Sequence, residues 1–283
     1  MIPAAFEYHR PQGLPEALKI LTDHGDQARA LAGGHSLIPV MKLRMSSISH
    51  LVDLQDIAAL RGITVGPVIR IGAMTTQAEL INHTGLAAAA PILREAALQI
   101  ADPQVRNLGT VGGNVANGDP ANDMPGLMQC LDATFTLTGP KGSREVKARD
   151  FYESAYFTAR AEGELLVAMS FAAPVGGFAY EKQKRKIGDY ATAAAAVQMA
   201  ASGGRVTHAS IAMTNLSDTP VWSAAAGAAL VGTACDAGAI KAAVAAMLGD
   251  INPVADNRGP VDFKRHVAGI ILGRAIARAF SRV

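Results

Sequence analysis

The chain has 283 residues, 49% hydrophobic and 18% charged, a composition that supports a substantial folded core and excludes a disordered protein. Its formal charge of +2 is too nearly balanced to point to a nucleic-acid partner. The alanine runs fall short of the roughly 20 apolar residues that a membrane-spanning helix needs. The opening MIPAAFEYHRP also lacks the apolar core of a signal peptide, so a cytoplasmic protein is expected.

In chain order, LPEALKILTDHG places Leu14, Ala17, Leu18 and Leu21 on one helical face, with Pro15 in the first turn and Gly25 as the stop. A short apolar strand, Ala28 to Leu31, a glycine turn, a helix over LIPVMKLR and a strand from His50 to Leu54 complete a small α/β unit. Its neighbouring strands are expected to be parallel. From about Asp56 to Phe171 the texture changes. Val68 to Ile71 reads as a strand, Thr75 as the cap of a helix through Leu80, and Pro91 to Ile100 as a helix. Met124 to Leu131 reads as another helix, Thr134–Leu137 and Arg144–Lys147 as a hairpin, and Glu164 to Phe171 as a strand.

Pro174-Val175-Gly176-Gly177 has linker composition. Beyond it, Tyr180 to Lys186 reads as extended, Thr192–Ala201 and Arg205–Asn215 as a hairpin around Ser202-Gly203-Gly204, and the rest as helices, the last from Val261 to Phe280. The expected division is 1–56, 57–174 and 178–283: an α/β unit, an α+β unit and a sheet with helices.

Between Asp102 and Pro125 the sequence DPQVRNLGTVGGNVANGDPANDMP is so rich in glycine, proline and asparagine that no regular helix or strand is expected there. Long segments of this kind inside a compact domain are usually functional or disordered. At its centre, Thr110, Val111, Gly112, Gly113 and Asn114 offer backbone N–H groups and two side-chain donors for an anion. Ala32, Gly33, Gly34, His35 and Ser36, followed by Leu37, form a similar turn between a strand and a helix. Neither is the nicotinamide-type G-x-G-x-x-G or a Walker loop. Two such turns suit the two sides of a pyrophosphate, although a tight turn without ligand stays open for each on local grounds. Asp119, Asn122 and Asp123 follow, able to accept from sugar hydroxyls or to cap the next helix. Two cysteines, Cys130 and Cys235, are too few for an iron–sulfur cluster or a structural zinc site and are expected to be small buried apolar residues.

The order of these motifs, AGGHSLIP, then TVGGN, then GDP, resembles the FAD-binding subunit of the molybdenum hydroxylases, the xanthine dehydrogenase and carbon monoxide dehydrogenase family, over essentially the whole chain. LAGGHSLIPVMKLR, IADPQ, the stretch Asn117 to Pro125 and YEKQKRKIGDYATAAAA are most similar to flavoprotein subunits of the carbon monoxide dehydrogenase type. The resemblance implies an α+β chain: a two-part FAD-binding domain of the vanillyl-alcohol-oxidase (PCMH) type, then an antiparallel sheet with helices. It implies that the two glycine turns hold the FAD pyrophosphate and that Asp123 contacts the sugar region. It implies further that Leu166 lines the flavin pocket and that Lys182 or Lys184 lies near the ring. For Leu166, ordinary strand core stays open. His35 is given no proton-transfer role, and Tyr190 fits either a flavin face or the core.

The same resemblance places the substrate chemistry in other chains: a large subunit with molybdopterin, with copper in the carbon monoxide enzyme, and a small subunit with two [2Fe–2S] clusters. Together they would form a dimer of heterotrimers on the inner side of the membrane. Electrons would leave through the FAD to a quinone or cytochrome. The rival expectations are a flavoprotein subunit for an N-heterocycle, an aldehyde or an aromatic acyl thioester, and a non-catalytic scaffold of the same fold.

Overall fold

The computed structural model describes residues 1–283. The first unit runs β1 (Glu7–His9), α1 (Leu14–His24), β2 (Ala28–Leu31), α2 (Leu37–Lys42) and β3 (His50–Asp53). Its sheet, ordered β1-β3-β2, is parallel throughout, as expected of strands joined by helical crossovers.

The second unit opens with β4 (Ile63–Thr64) and β5 (Val68–Gly72) and continues through six short helices. These are α3 (Gln77–Asn82), α4 (Thr84–Ala89), α5 (Pro91–Ala97), α6 (Pro103–Leu108), α7 (Val111–Ala116) and α8 (Asp123–Cys130). The chain returns through β6 (Thr134–Gly139), β7 (Gly142–Lys147), β8 (Tyr152–Ser154), β9 (Phe157–Thr158) and β10 (Leu165–Ala172). The five-stranded sheet β4-β5-β10-β6-β7 is antiparallel. Thr76, not Thr75, caps α3: its hydroxyl accepts from Glu79 N–H at 3.1 Å while the Glu79 carboxylate accepts from Thr76 N–H at 2.7 Å. This reciprocal box needs a Glu three residues beyond the cap, a spacing only Thr76 has.

The stretch from Asp102 to Pro125 is not irregular. It contains α6, α7 and the start of α8, because side chains supply what propensity lacks. Asp102 accepts from Val105 N–H at 2.9 Å, and Thr110 accepts from Gly113 N–H at 3.0 Å. Neither Asn122 nor Asp123 caps α8; Asn114 Oδ1, from the preceding helix, accepts from Met124 N–H at 3.1 Å.

The third unit comprises β11 (Gly177–Gln183), β12 (Ala193–Ser202), β13 (Arg205–Thr214), β14 (Val221–Trp222), α9 (Ala224–Ala228), α10 (Ala237–Asp250) and α11 (Val261–Phe280). Its sheet is antiparallel in the order β11-β12-β13-β14. Helix α8 lies against one face of this sheet and α11 against the other. The alternation of the strand therefore feeds two cores. Ala194 and Ala196 belong to the core of the second unit, while Ala193, Ala195 and Val197 belong to that of the third. The run Ala193–Ala196 is strand for that reason: small side chains let helices close on both faces.

Candidate cofactor site

The glycine turn after β2 and the α6–α7 segment come into direct contact. A Cβ placed on Gly33 would stand 2.3 Å from Leu108 O and 2.7 Å from Gly109 Cα. One on Gly112 would stand 2.5 Å from Ala73 Cβ and 2.6 Å from Ala73 O. The sequence reading assigned these glycines to close approach of a phosphate. Their more immediate task is to let three backbone segments touch, which any side chain would prevent. Their meeting forms one wall of a cavity of about 580 Å³, within the roughly 300–1,000 Å³ range of ligand and cofactor sites.

Of the expected site residues, Ala32, Gly33, Gly34, His35, Ser36 and Leu37 from the first turn line this cavity. So do Thr110, Gly112, Gly113 and Asn114 from the second, together with Asp123, Leu166, Lys182 and Tyr190. Val111 does not: it is fully buried in the core of the second unit. Lys184 does not either. The extended stretch expected from Tyr180 to Lys186 ends at Gln183, so Lys184 lies beyond strand β11, and its Nζ donates to Gln99 O at 3.3 Å. Burial and the adjacent Lys182 cation push the Lys184 amine below its ordinary value.

Lys182 itself belongs to a buried polar junction. Lys182 Nζ lies 2.8 Å from Asp123 Oδ2 and donates to Gln99 O at 3.2 Å. Tyr180 Oη donates to Asp123 Oδ1 at 2.6 Å. Burial, then the Asp123 charge, holds the Tyr180 phenol far above its ordinary value, so it remains a donor. Both Asp123 oxygens are thus engaged by the protein, and the junction links α8 to β11 at the cavity wall. Leu166 sits beside a β-bulge between Leu166 and Ala168, where β10 slips register against β6. Tyr190 is 40% exposed at the rim, with the Arg258 guanidinium 5.3 Å from its ring centre.

Sequence reasoning missed several wall residues, among them Met74, Gln77, Tyr156 and Arg160. Gln77 is the most informative. It is 2% exposed, and neither its Oε1 nor its Nε2 has a hydrogen-bond partner. A buried amide left unpaired costs about 1–3 kcal/mol, so its presence at the cavity wall fits a polar ligand that would pair it. Nothing in AELIN-type helix sequence distinguishes such a Gln from an exposed one. Arg160, with Arg29 nearby, has its guanidinium value lowered by desolvation first and by that like charge second, and adds positive charge to the same wall.

The cavity is therefore lined by two glycine turns, an unpaired amide, cationic groups and an apolar side contributed by Leu37, Met74 and Leu166. That combination suits a dinucleotide with a large planar ring. Comparison with known proteins agrees. Residues 4–173 match the model described as FAD binding domain in molybdopterin dehydrogenase, and residues 178–279 match CO dehydrogenase flavoprotein C-terminal domain. The chain belongs to this family of FAD-binding oxidoreductase chains. Within it, the chain is similar to the carbon monoxide dehydrogenase medium chain of Afipia carboxidovorans, at 55% identity over 100% of this chain and 99% of that one. It superposes on a chain of reconstituted CO dehydrogenase from Oligotropha carboxidovorans with a TM-score of 0.98, 55% identity and full coverage of both. A chain of quinoline 2-oxidoreductase from Pseudomonas putida 86 gives a TM-score of 0.95 at 33% identity, covering 99% of each. The fold is thus shared across different substrates.

The free cysteines are buried, as expected. No helix is long and apolar enough to cross a membrane.

Proposed function

We propose that this chain is the FAD-carrying electron-transfer subunit of an aerobic carbon monoxide dehydrogenase. In this reading residues 1–56 and 57–174 hold the cofactor between them, and residues 178–283 form a further unit that closes the site through Lys182 and Tyr190. The carrying observation is the contact between the two glycine turns at the cavity wall, combined with an end-to-end likeness at 55% identity to a carbon monoxide dehydrogenase medium chain. FAD supplies reversible one- and two-electron chemistry when bound.

The chain's own residues account for binding and environment. N–H groups of Gly33 and Gly34 would be available to a pyrophosphate, whereas those of Gly112 and Gly113 are taken by Ala73 O and Thr110 Oγ1, so the second turn contributes close approach and the polar side chains of Thr110 and Asn114, beside Ser36 of the first. Gln77 would pair with a polar edge of the cofactor. Leu166 and Met74 exclude water from the ring. Lys182 sets an ammonium at the wall whose charge is largely offset by Asp123, so it would serve the ring as a positioned hydrogen-bond donor, with Asp123 and Tyr180 fixing the junction. Tyr190 at the rim limits access from solvent.

The oxidation itself belongs to partner subunits: a large one with molybdopterin and copper, and a small one with two [2Fe–2S] clusters. Electrons leave through this chain to a quinone or cytochrome at the inner face of the membrane. Isolation of the assembled complex tests this reading. It should release FAD on denaturation and should lose the visible absorbance of oxidised flavin on addition of carbon monoxide. A complex that carries FAD but responds only to an N-heterocycle, an aldehyde or an aromatic acyl thioester would overturn the substrate. A complex without flavin would make the chain a scaffold.

A further inference from the structure

Away from the cavity, three of the seven histidines meet on the N-terminal sheet. His9 ends β1, His24 ends α1 and His50 begins β3, so each ring comes from a different element. The parallel register sets Glu7 opposite His50, and His9, two residues on, projects from the same face as Glu7. Helix α1 packs against β3 and brings the His24 ring onto His50, with ring centres 3.6 Å apart and planes inclined by 18°.

The arrangement places nitrogen atoms, and not only rings, together. His9 Nε2 and His50 Nδ1 face each other at 3.1 Å. Two nitrogens in this position share at most one proton, since two N–H groups would collide. One ligand atom from each of the three rings lies within 4.8 Å of the others. Glu7 Oε2 is 3.4 Å from His50 Nδ1 and 3.9 Å from His9 Nε2. Donors held at about 2.0–2.1 Å from one zinc ion in a tetrahedral array stand about 3.3 Å apart, close to these separations.

We propose that His9, His24 and His50, with Glu7 as fourth ligand, form a binding site for a divalent transition metal ion of the zinc class. Three imidazoles and one carboxylate favour zinc-class ions over magnesium or calcium, which prefer oxygen donors throughout. The His50 and His9 side chains are only 13% and 25% exposed, so their positions are set by packing, while Glu7, at 73%, is free to close onto the ion. None of the four residues lines the cofactor cavity, so this site acts on the fold and not on the flavin. Its effect is a clip: β1 is a three-residue edge strand, and an ion shared with α1 and β3 would fasten it to the sheet.

The test uses the full-length chain stripped of metal with a chelator and titrated with zinc sulfate by calorimetry. One ion per chain is expected, with a rise in Tm, and cobalt substituted for zinc should show the intense visible bands of a tetrahedral site. His50→Ala and His9→Ala should each weaken zinc binding by more than the roughly 10–100-fold typical of changes around a metal's ligands. His208→Ala, on the far hairpin, should leave it unchanged. Absence of zinc uptake, an equal affinity in His50→Ala, or weak octahedral cobalt bands would each overturn the proposal. If His50→Ala fails to fold, the cobalt spectrum of the unsubstituted chain decides alone.

Discussion

Lys182 and Asp123 form an ion pair with Nζ and Oδ2 2.8 Å apart and side chains only 1% and 5% exposed. The pair crosses from β11 to α8, joining the C-terminal sheet to the helix that follows the second glycine turn. Burying two charges is costly, and removing one partner strands the other, at about 3–5 kcal/mol. Lys182→Met is therefore expected to lower the unfolding free energy by about that amount, measured by urea denaturation of the apo chain. The double variant Lys182→Met/Asp123→Leu should recover part of the loss. A double variant less stable than both singles would show that the ion pair is not the cause.

At the turns, the expectation concerns space. Gly112→Val would drive a side chain into Ala73, which a Cβ alone already approaches to 2.5 Å. Overpacking of this kind costs about 1–3 kcal/mol and shifts the backbone. The α7 turn should move from its partner, and flavin content, read by absorbance after purification, should drop severely. Full occupancy in Gly112→Val would remove the turn from the cofactor site.

Gln77 gives the opposite pattern for stability and binding. In the apo chain its amide is buried without partners, so Gln77→Leu should leave Tm unchanged or raise it. FAD binding should weaken by about 1–3 kcal/mol, roughly 5-fold to 150-fold in Kd, by fluorescence titration. A loss of apo stability with unchanged FAD affinity would assign Gln77 to the core instead.

Burial pushes the Cys130 thiol up to about 12 from an ordinary 9.0. A raised value means that the folded state holds its proton longer than the unfolded state. The contribution is fully present below about pH 9 and is lost as pH rises towards 12. Tm should therefore fall between pH 9 and 11, and Cys130→Ala should flatten that fall relative to its own value at pH 8. An unchanged slope would place the alkaline sensitivity elsewhere.

Local signals were enough for much of this chain. The parallel order of the first three strands follows from helical crossovers, and Ser202-Gly203-Gly204 announces the β12–β13 hairpin, because both depend on neighbours in sequence. Ala32 to Leu37 were legible for the same reason: glycines between a strand end and a helix start are a local feature. The helices α6 and α7 were not, although their caps Asp102 and Thr110 are local, because glycine and proline weigh against helix in propensity and only the packed fold holds such short turns in place.

Distance in the chain set the remaining limits. That Gly33 exists to admit Leu108, that Lys182 reaches Asp123 while Lys184 stops at Gln99 O off the cavity wall, and that Gln77 lies unpaired at a cavity wall all depend on segments far apart in sequence. The same holds for His9, His24 and His50, which have no shared spacing and meet only because α1 folds back over a parallel sheet. Sequence determined the identity of the turns and the kind of ligand they suit. Packing determined which charges are buried, because burial is a property of surroundings and the surroundings come from every part of the chain.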